Sequence, residues 1–173
     1  MRPSTWASIH EKRIYTNANE LTKAMLAFME AEQLVDELGD DYYAGLLYER
    51  MGVIYEEYYD FPKALESLRL STEHFQKANK PLHKLWGMLH QSAVYKDMNK
   101  DLDSFQLLQL TLKEAKVTNQ TSIIRFCLGD LILLCLDMDK QEEALAFYND
   151  FINHYSIERM NSSFYAGLSL LMA

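Results

Sequence analysis

The sequence predicts an all-α fold made of repeated helix-turn-helix units, and three observations support this prediction. The 173-residue chain has only six Gly and three Pro, whereas Leu, Glu, Lys, Ala and Met are plentiful, a balance that favours helices. Certain residue types recur every 40 positions without an insertion. Residues that end or begin helices recur with the same period. A fixed period of this length is typical of helical repeat proteins.

Two columns of the 40-residue period have a clear packing role. A small residue in the second helix of each unit lets two crossing helices approach to about 8–10 Å. A large flat residue in the first helix fills the gap between consecutive hairpins. The small column contains Ala24, Ala64, Ser104 and Ala144, and the large column contains Tyr15, Tyr55, Tyr95 and Cys135.

Turn residues follow the same period and give the predicted helix boundaries. Gly39, Asn79 and Asn119 share a column, and Gly and Asn tolerate the left-handed backbone that follows a helix. Breaks within the units are expected at 17–19, 58–60, 99–101 and 137–139. First helices are predicted near 4–17, 42–57, 82–98 and 122–137. Second helices are predicted near 20–38, 61–78, 102–118 and 140–155, with a ninth helix near 162. The units are therefore 1–40, 41–80, 81–120, 121–160 and a partial unit 161–173, in a single domain.

The charge and the cysteines narrow the class of protein. The formal net charge is −8 and the basic residues are scattered, so we expect no nucleic-acid binding by this segment and no membrane binding. No apolar run is long enough to span a bilayer, and we expect a cytoplasmic protein, with the periplasm left open for a fragment. Cys127 and Cys135 are eight residues apart on one predicted helix, which is about 12 Å along its axis and too far for a disulfide. Both are expected to be buried.

No pattern in the sequence predicts catalysis, a metal or a cofactor. His83 and His90 are seven residues apart on one predicted helix, but a closed zinc site needs four ligands and no suitable partners lie one turn away. No phosphate-binding glycine loop or nucleophile motif occurs. We therefore expect a protein that is not an enzyme.

The strongest stretch, "ERMGVIYEEYYDFPKALESL" (49–68), resembles the tetratricopeptide repeat. The matching residues of this unit are Tyr48, Met51, Gly52, Tyr55, Ala64, Leu68 and Ser71. Each unit is longer than the family's period of about 34 residues. Such lengthened repeats resemble the sensory helical arrays of bacterial regulators. The resemblance implies a right-handed superhelix (an α-α solenoid) of about four and a half repeats. It also implies that Tyr48, Tyr55, Tyr58 and Tyr59 pack rather than catalyse.

The resemblance further implies a concave face that is lined by first-helix residues and binds a protein or peptide. Carried over to this sequence, the predicted face consists of Arg13, Glu49, Arg50, Val53, Glu56, Glu57, Trp86, His90, Lys96, Asp97, Phe126, Asp130 and Asp137, and the same columns include Leu89 and Leu133. Carboxylates beside Trp86 and Phe126 suit a segment with basic and apolar residues. The alternative is that these charges are merely solvated.

These expectations combine into a protein-binding or peptide-binding scaffold, the sensory or assembly module of a larger bacterial regulatory protein. The alternative is a receptor for a small signal peptide that changes the shape of the superhelix. The C-terminal stretch carries exposed apolar candidates at Phe164, Leu168, Leu171 and Met172. It favours a fragment of a longer array, with homodimerisation through this apolar helix as the other reading.

Overall fold

The computed structural model describes the backbone of residues 5–154 and the side chains of residues 22–153. Within this range the regular structure is entirely α-helical. The seven helices are α1 (Thr5–Leu38), α2 (Asp41–Glu57), α3 (Phe61–Lys77), α4 (Pro81–Asp97), α5 (Asp101–Val117), α6 (Thr121–Asp137) and α7 (Gln141–His154). From α2 onward each described boundary lies within one residue of its prediction. The all-α repeat is therefore confirmed.

A 20-residue module underlies the predicted 40-residue period. Each helix from α2 to α6 has 17 residues. One residue with positive φ occurs in every connecting turn: Gly39, Tyr59, Asn79, Asn99, Asn119 and Asp139. The turn between α4 and α5 shows the hydrogen bonds involved: Lys100 N donates to Tyr95 O at 2.9 Å, and Asn99 N donates to Lys96 O at 2.8 Å. This pair of bonds is a Schellman motif, and it recurs after each helix from α2 to α6, so these five helices end at the same point of the module.

The predicted first repeat (1–40) is not a hairpin, so the prediction of separate helices near 4–17 and 20–38 is wrong. The helix α1 runs without interruption for 34 residues, and residues 17–19 lie inside it. Asn17 and Asn19 are weak helix breakers, because each costs only about 0.5 kcal/mol relative to Ala. The predicted ninth helix and the apolar stretch proposed for dimerisation lie outside the described residues.

The chain divides into two compact units, residues 1–94 and residues 95–173. In the first unit, α2 packs closely on α3 because glycines face large side chains. A Cβ atom added to Gly45 would lie 2.7 Å from Cδ1 of Phe75, and one added to Gly52 would lie 2.6 Å from Cγ of Leu68. Phe75, Leu68 and the small-column residue Ala64 are fully buried. The two helices approach each other where glycine leaves room.

A chain of polar and aromatic contacts joins α1, α2 and α3. The Tyr48 hydroxyl donates to Glu32 Oε1 at 2.8 Å, and the Tyr48 ring stacks on His74 at 5.5 Å. His74 Nδ1 lies 2.8 Å from Asp41 Oδ1. Partial burial, followed by the hydrogen bond and the charge of Glu32, raises the pKa of Tyr48 to about 12. Tyr48 therefore has a packing role, as predicted.

In the second unit, α6 packs between α5 and α7 and supplies most of the core. Its fully buried side chains are those of Ile123, Cys127, Leu128, Leu131, Ile132, Leu134 and Cys135. Both cysteines are free thiols, as the sequence predicts. Two contacts join α5 to the C-terminal part of this unit. Lys140, the residue before α7, has its Nζ 4.6 Å from the centroid of the Phe105 ring, and Lys116 Nζ lies 2.6 Å from Oδ2 of Asp150 in the second half of α7.

Although α6 is rich in apolar residues, it is too short to act as a membrane span. None of the helices that the structure describes combines the length and the apolar character needed to cross a bilayer.

Candidate partner-binding surface

One face of α6 remains exposed to solvent along the helix, although most of the residues between Ile123 and Cys135 are buried. Phe126 and Leu133 are 44% and 39% exposed, and they lie two helical turns apart. The exposed carboxylates Asp130 and Asp137 follow the same spacing of four and three residues, which places all four side chains along one side of a helix. We call Phe126, Asp130, Leu133 and Asp137 the α6 stripe.

A lysine from the end of α4 lies beside the α6 stripe. Lys96 Nζ is 3.4 Å from Asp137 Oδ2, and both side chains are about half exposed. The surrounding protein withdraws water from Asp130 and raises the pKa of that carboxyl, while the positive charge of Lys96 acts in the opposite direction. The Asp130 side chain is exposed, but its carboxylate is less hydrated than one in bulk water. A positive charge of a partner would therefore attract it more strongly than it would attract a fully hydrated carboxylate.

The other residues of the predicted binding face lie on the expected helices, in the first compact unit and at the end of α4. On α2, Glu49, Val53 and Glu56 are half-buried, whereas Arg50 and Glu57 are exposed. The remaining members on α4 are half-buried at Trp86 and His90 and exposed at Asp97. Arg13 lies in α1, and its side chain is outside the described residues.

Two predictions about individual side chains are wrong. Leu89 was expected on the binding face, but it is only 7% exposed because it continues the buried stripe of Leu85, Met88 and Ser92 on α4. Tyr59 was expected to pack, but it is 79% exposed. Its position in the turn after α2, with φ of 61°, turns the side chain away from the helix pair. The periodic column of turn residues was the signal that could have revealed this.

His83 and His90, which the sequence does not predict to form a metal site, have different surroundings. The His83 ring lies 5.4 Å from Tyr42 and 5.0 Å from Phe75, so it belongs to an aromatic cluster. His90 is half-buried about two helical turns further along the same side of α4. Among the residues that the structure describes, no group of three His, Cys, Asp or Glu side chains is arranged to hold a metal ion.

Comparison with known proteins adds no family to this description. No protein-family model matches the sequence, and a search of curated proteins finds no match. The helical repeat and the exposed α6 stripe are therefore the basis for a function.

Proposed function

We propose that this chain is a protein-binding module without catalytic activity, and that the α6 stripe contacts the partner. The observation that carries the proposal is an exposed aromatic and aliphatic pair, Phe126 and Leu133, on a helix whose other faces form the core. Carboxylates at Asp130 and Asp137 alternate with this pair. Such an arrangement suits a partner segment that presents apolar and basic residues at matching intervals.

The apolar part of the stripe is large enough to contribute measurable affinity. Covering the exposed fractions of Phe126 and Leu133 would remove about 150 Å² from water, which corresponds to about 4 kcal/mol at 25 cal/mol per Å². Association costs of similar size oppose this gain. The carboxylates therefore have to select the partner and orient it, and the aromatic ring acts as the anchor.

The repeat architecture supports a wider role for the module. We propose that it belongs to the tetratricopeptide-like helical repeats and serves as the sensory or assembly part of a larger bacterial regulatory protein. The resemblance in residues 48–71 and the regular 20-residue module support this assignment. In such a protein the described helices would hold the partner while other domains give the output.

The test is a selection of 12-residue peptides from a random library on the immobilised chain. We expect the selected peptides to combine basic and apolar residues, and a double variant, Phe126→Ser with Asp130→Lys, to lose at least tenfold in affinity for them. Leu110→Ser on α5 is the matched control, because Leu110 is 48% exposed but lies on another helix. Equal binding to the double variant, or loss of binding in the control alone, would refute the proposal.

A further inference from the structure

One turn of the repeat holds a residue that does not suit its backbone. The left-handed position is occupied by Gly39, Asn79, Asn99, Asn119 and Asp139 in the matching turns, but by Tyr59 with φ of 61° between α2 and α3. Gly, Asn and Asp adopt this conformation readily, whereas a bulky side chain there is an outlier. Residues held in such conformations are frequent at functional sites.

Burial does not explain why a tyrosine occupies this position. The Tyr59 side chain is 79% exposed. Its ring meets that of Phe61 in an edge-on arrangement with centroids 6.0 Å apart. A ring that is mostly in water gains little from the fold, so the residue is better explained by a contact with another molecule.

The neighbouring contact between Lys63, Asp60 and Tyr55 shows which chemistry suits this turn. Lys63 Nζ lies 2.8 Å from Asp60 Oδ2 and 5.3 Å from the centroid of the Tyr55 ring. A cation is thus held between a carboxylate and a tyrosine. Glu57, two residues before Tyr59 in the sequence, is exposed, and it forms no ion pair with any described residue. Glu57 and Tyr59 thus offer a second carboxylate and a second tyrosine at this turn, and no described lysine or arginine pairs with them.

We infer that Tyr59 and Glu57 form a docking corner for an arginine-bearing segment of a partner protein. A guanidinium group stacks on an aromatic face and at the same time donates two hydrogen bonds to a carboxylate. Lysine is a point charge and would use the corner less well. The corner lies in the first unit, so the inference is independent of the proposed binding by the α6 stripe.

The test is a titration of the full ¹⁵N-labelled chain with acetyl-Gly-Arg-Gly-amide, followed by NMR. We expect shift changes concentrated at residues 56–61 and at least threefold weaker binding of the lysine tripeptide. Tyr59→Asn and Glu57→Gln should each reduce the affinity at least fivefold. Equal affinity of the two tripeptides, or unchanged binding to Tyr59→Asn, would overturn the inference.

A stability measurement separates a binding role from a packing role. Tyr59→Asn installs the residue found in three of the matching turns, and we expect it to raise the thermal midpoint by about 2–4 °C. Asn119→Tyr is the control, because Val117 lies two residues before it, where the Tyr59 turn has Glu57: it should lower the midpoint and bind the arginine tripeptide no better than the natural chain. A lower midpoint for Tyr59→Asn would show that the tyrosine is there to stabilise the fold, and it would overturn the inference.

Discussion

Gly52→Ala tests how closely α2 packs on α3. The added Cβ would lie 2.6 Å from Cγ and 2.8 Å from Cδ2 of Leu68, and 3.3 Å from the carbonyl oxygen of Ala64. Carbon atoms in contact are normally about 3.5–4.0 Å apart, so Leu68 or the whole helix has to move by about 1 Å. Leu68 is fully buried and the closest atom is its branch carbon, which leaves little freedom to adjust.

Two opposing effects set the size of the loss. Inserting a methyl group into a packed core costs about 1–3 kcal/mol, whereas replacing a helical glycine by alanine gains about 1 kcal/mol. We therefore expect Gly52→Ala to lower the free energy of unfolding by about 1 kcal/mol, and by about 2 kcal/mol if α3 cannot shift.

Urea unfolding followed by circular dichroism at 222 nm measures this change. Gly39→Asn is the control, because Gly39 has φ of 61° with no atom within 4 Å of an added Cβ, and it should stay within about 0.5 kcal/mol of the natural chain. Adding Leu68→Ala to Gly52→Ala should cost less than the sum of the two single changes, because the smaller side chain removes the clash. A Gly52→Ala variant that is more stable than the natural chain would refute the reasoning.

Three further predictions concern single side chains. Tyr48→Phe removes the hydrogen bond to Glu32 but keeps the ring, so it should cost about 1 kcal/mol and speed hydrogen exchange in residues 22–38; unchanged exchange there would contradict the role of this contact. The hydrogen bond from Lys63 holds the pKa of Asp60 below its usual value of 3.8. The stabilisation by this charge is therefore complete above pH 4 and is lost as the pH falls through the lower folded value. Asp60→Asn keeps a capping side chain, and its stability deficit should shrink below pH 4; a deficit that does not change with pH would exclude the charge as its cause. Burial raises the pKa of Cys127 to about 12, so at pH 8 its thiolate fraction is about a thousandfold lower than in the unfolded chain. Labelling by a thiol reagent should be correspondingly slow until guanidinium is added, and rapid labelling of the folded chain would show that the thiol is accessible.

The sequence predicted the helices well wherever a strong turn residue repeats. One column of Gly and Asn located three of the six left-handed positions, Gly39, Asn79 and Asn119, because these residue types favour that backbone conformation. The same reasoning failed in α1, where Asn17 and Asn19 resemble a turn in composition. An asparagine is compatible with a turn but also with a helix, and packing against other helices decides between them. The residue type can be read from the sequence, but the packing cannot.

The candidate surface was harder to predict than the fold. The position of a residue in the repeat predicts the side of the helix on which it lies, and this reasoning placed Phe126, Asp130 and Leu133 on one side. It could not tell Leu133 from Leu89, because both occupy comparable columns and only the neighbouring helix decides which one is covered. The exposed Tyr59 was missed for a different reason: its ring was judged by its type, whereas the backbone conformation of the turn determines where it points.

The Schellman closure after each 17-residue helix also limits how far an insertion or deletion can act. One residue added within a helix rotates every later side chain of that helix by about 100°, since there are 3.6 residues in a turn. The rotation stops at the next left-handed residue, where the closing hydrogen bonds start a new helix with its own orientation. A change in length should therefore damage one helix and its immediate contacts, and leave the local pattern of the following module intact.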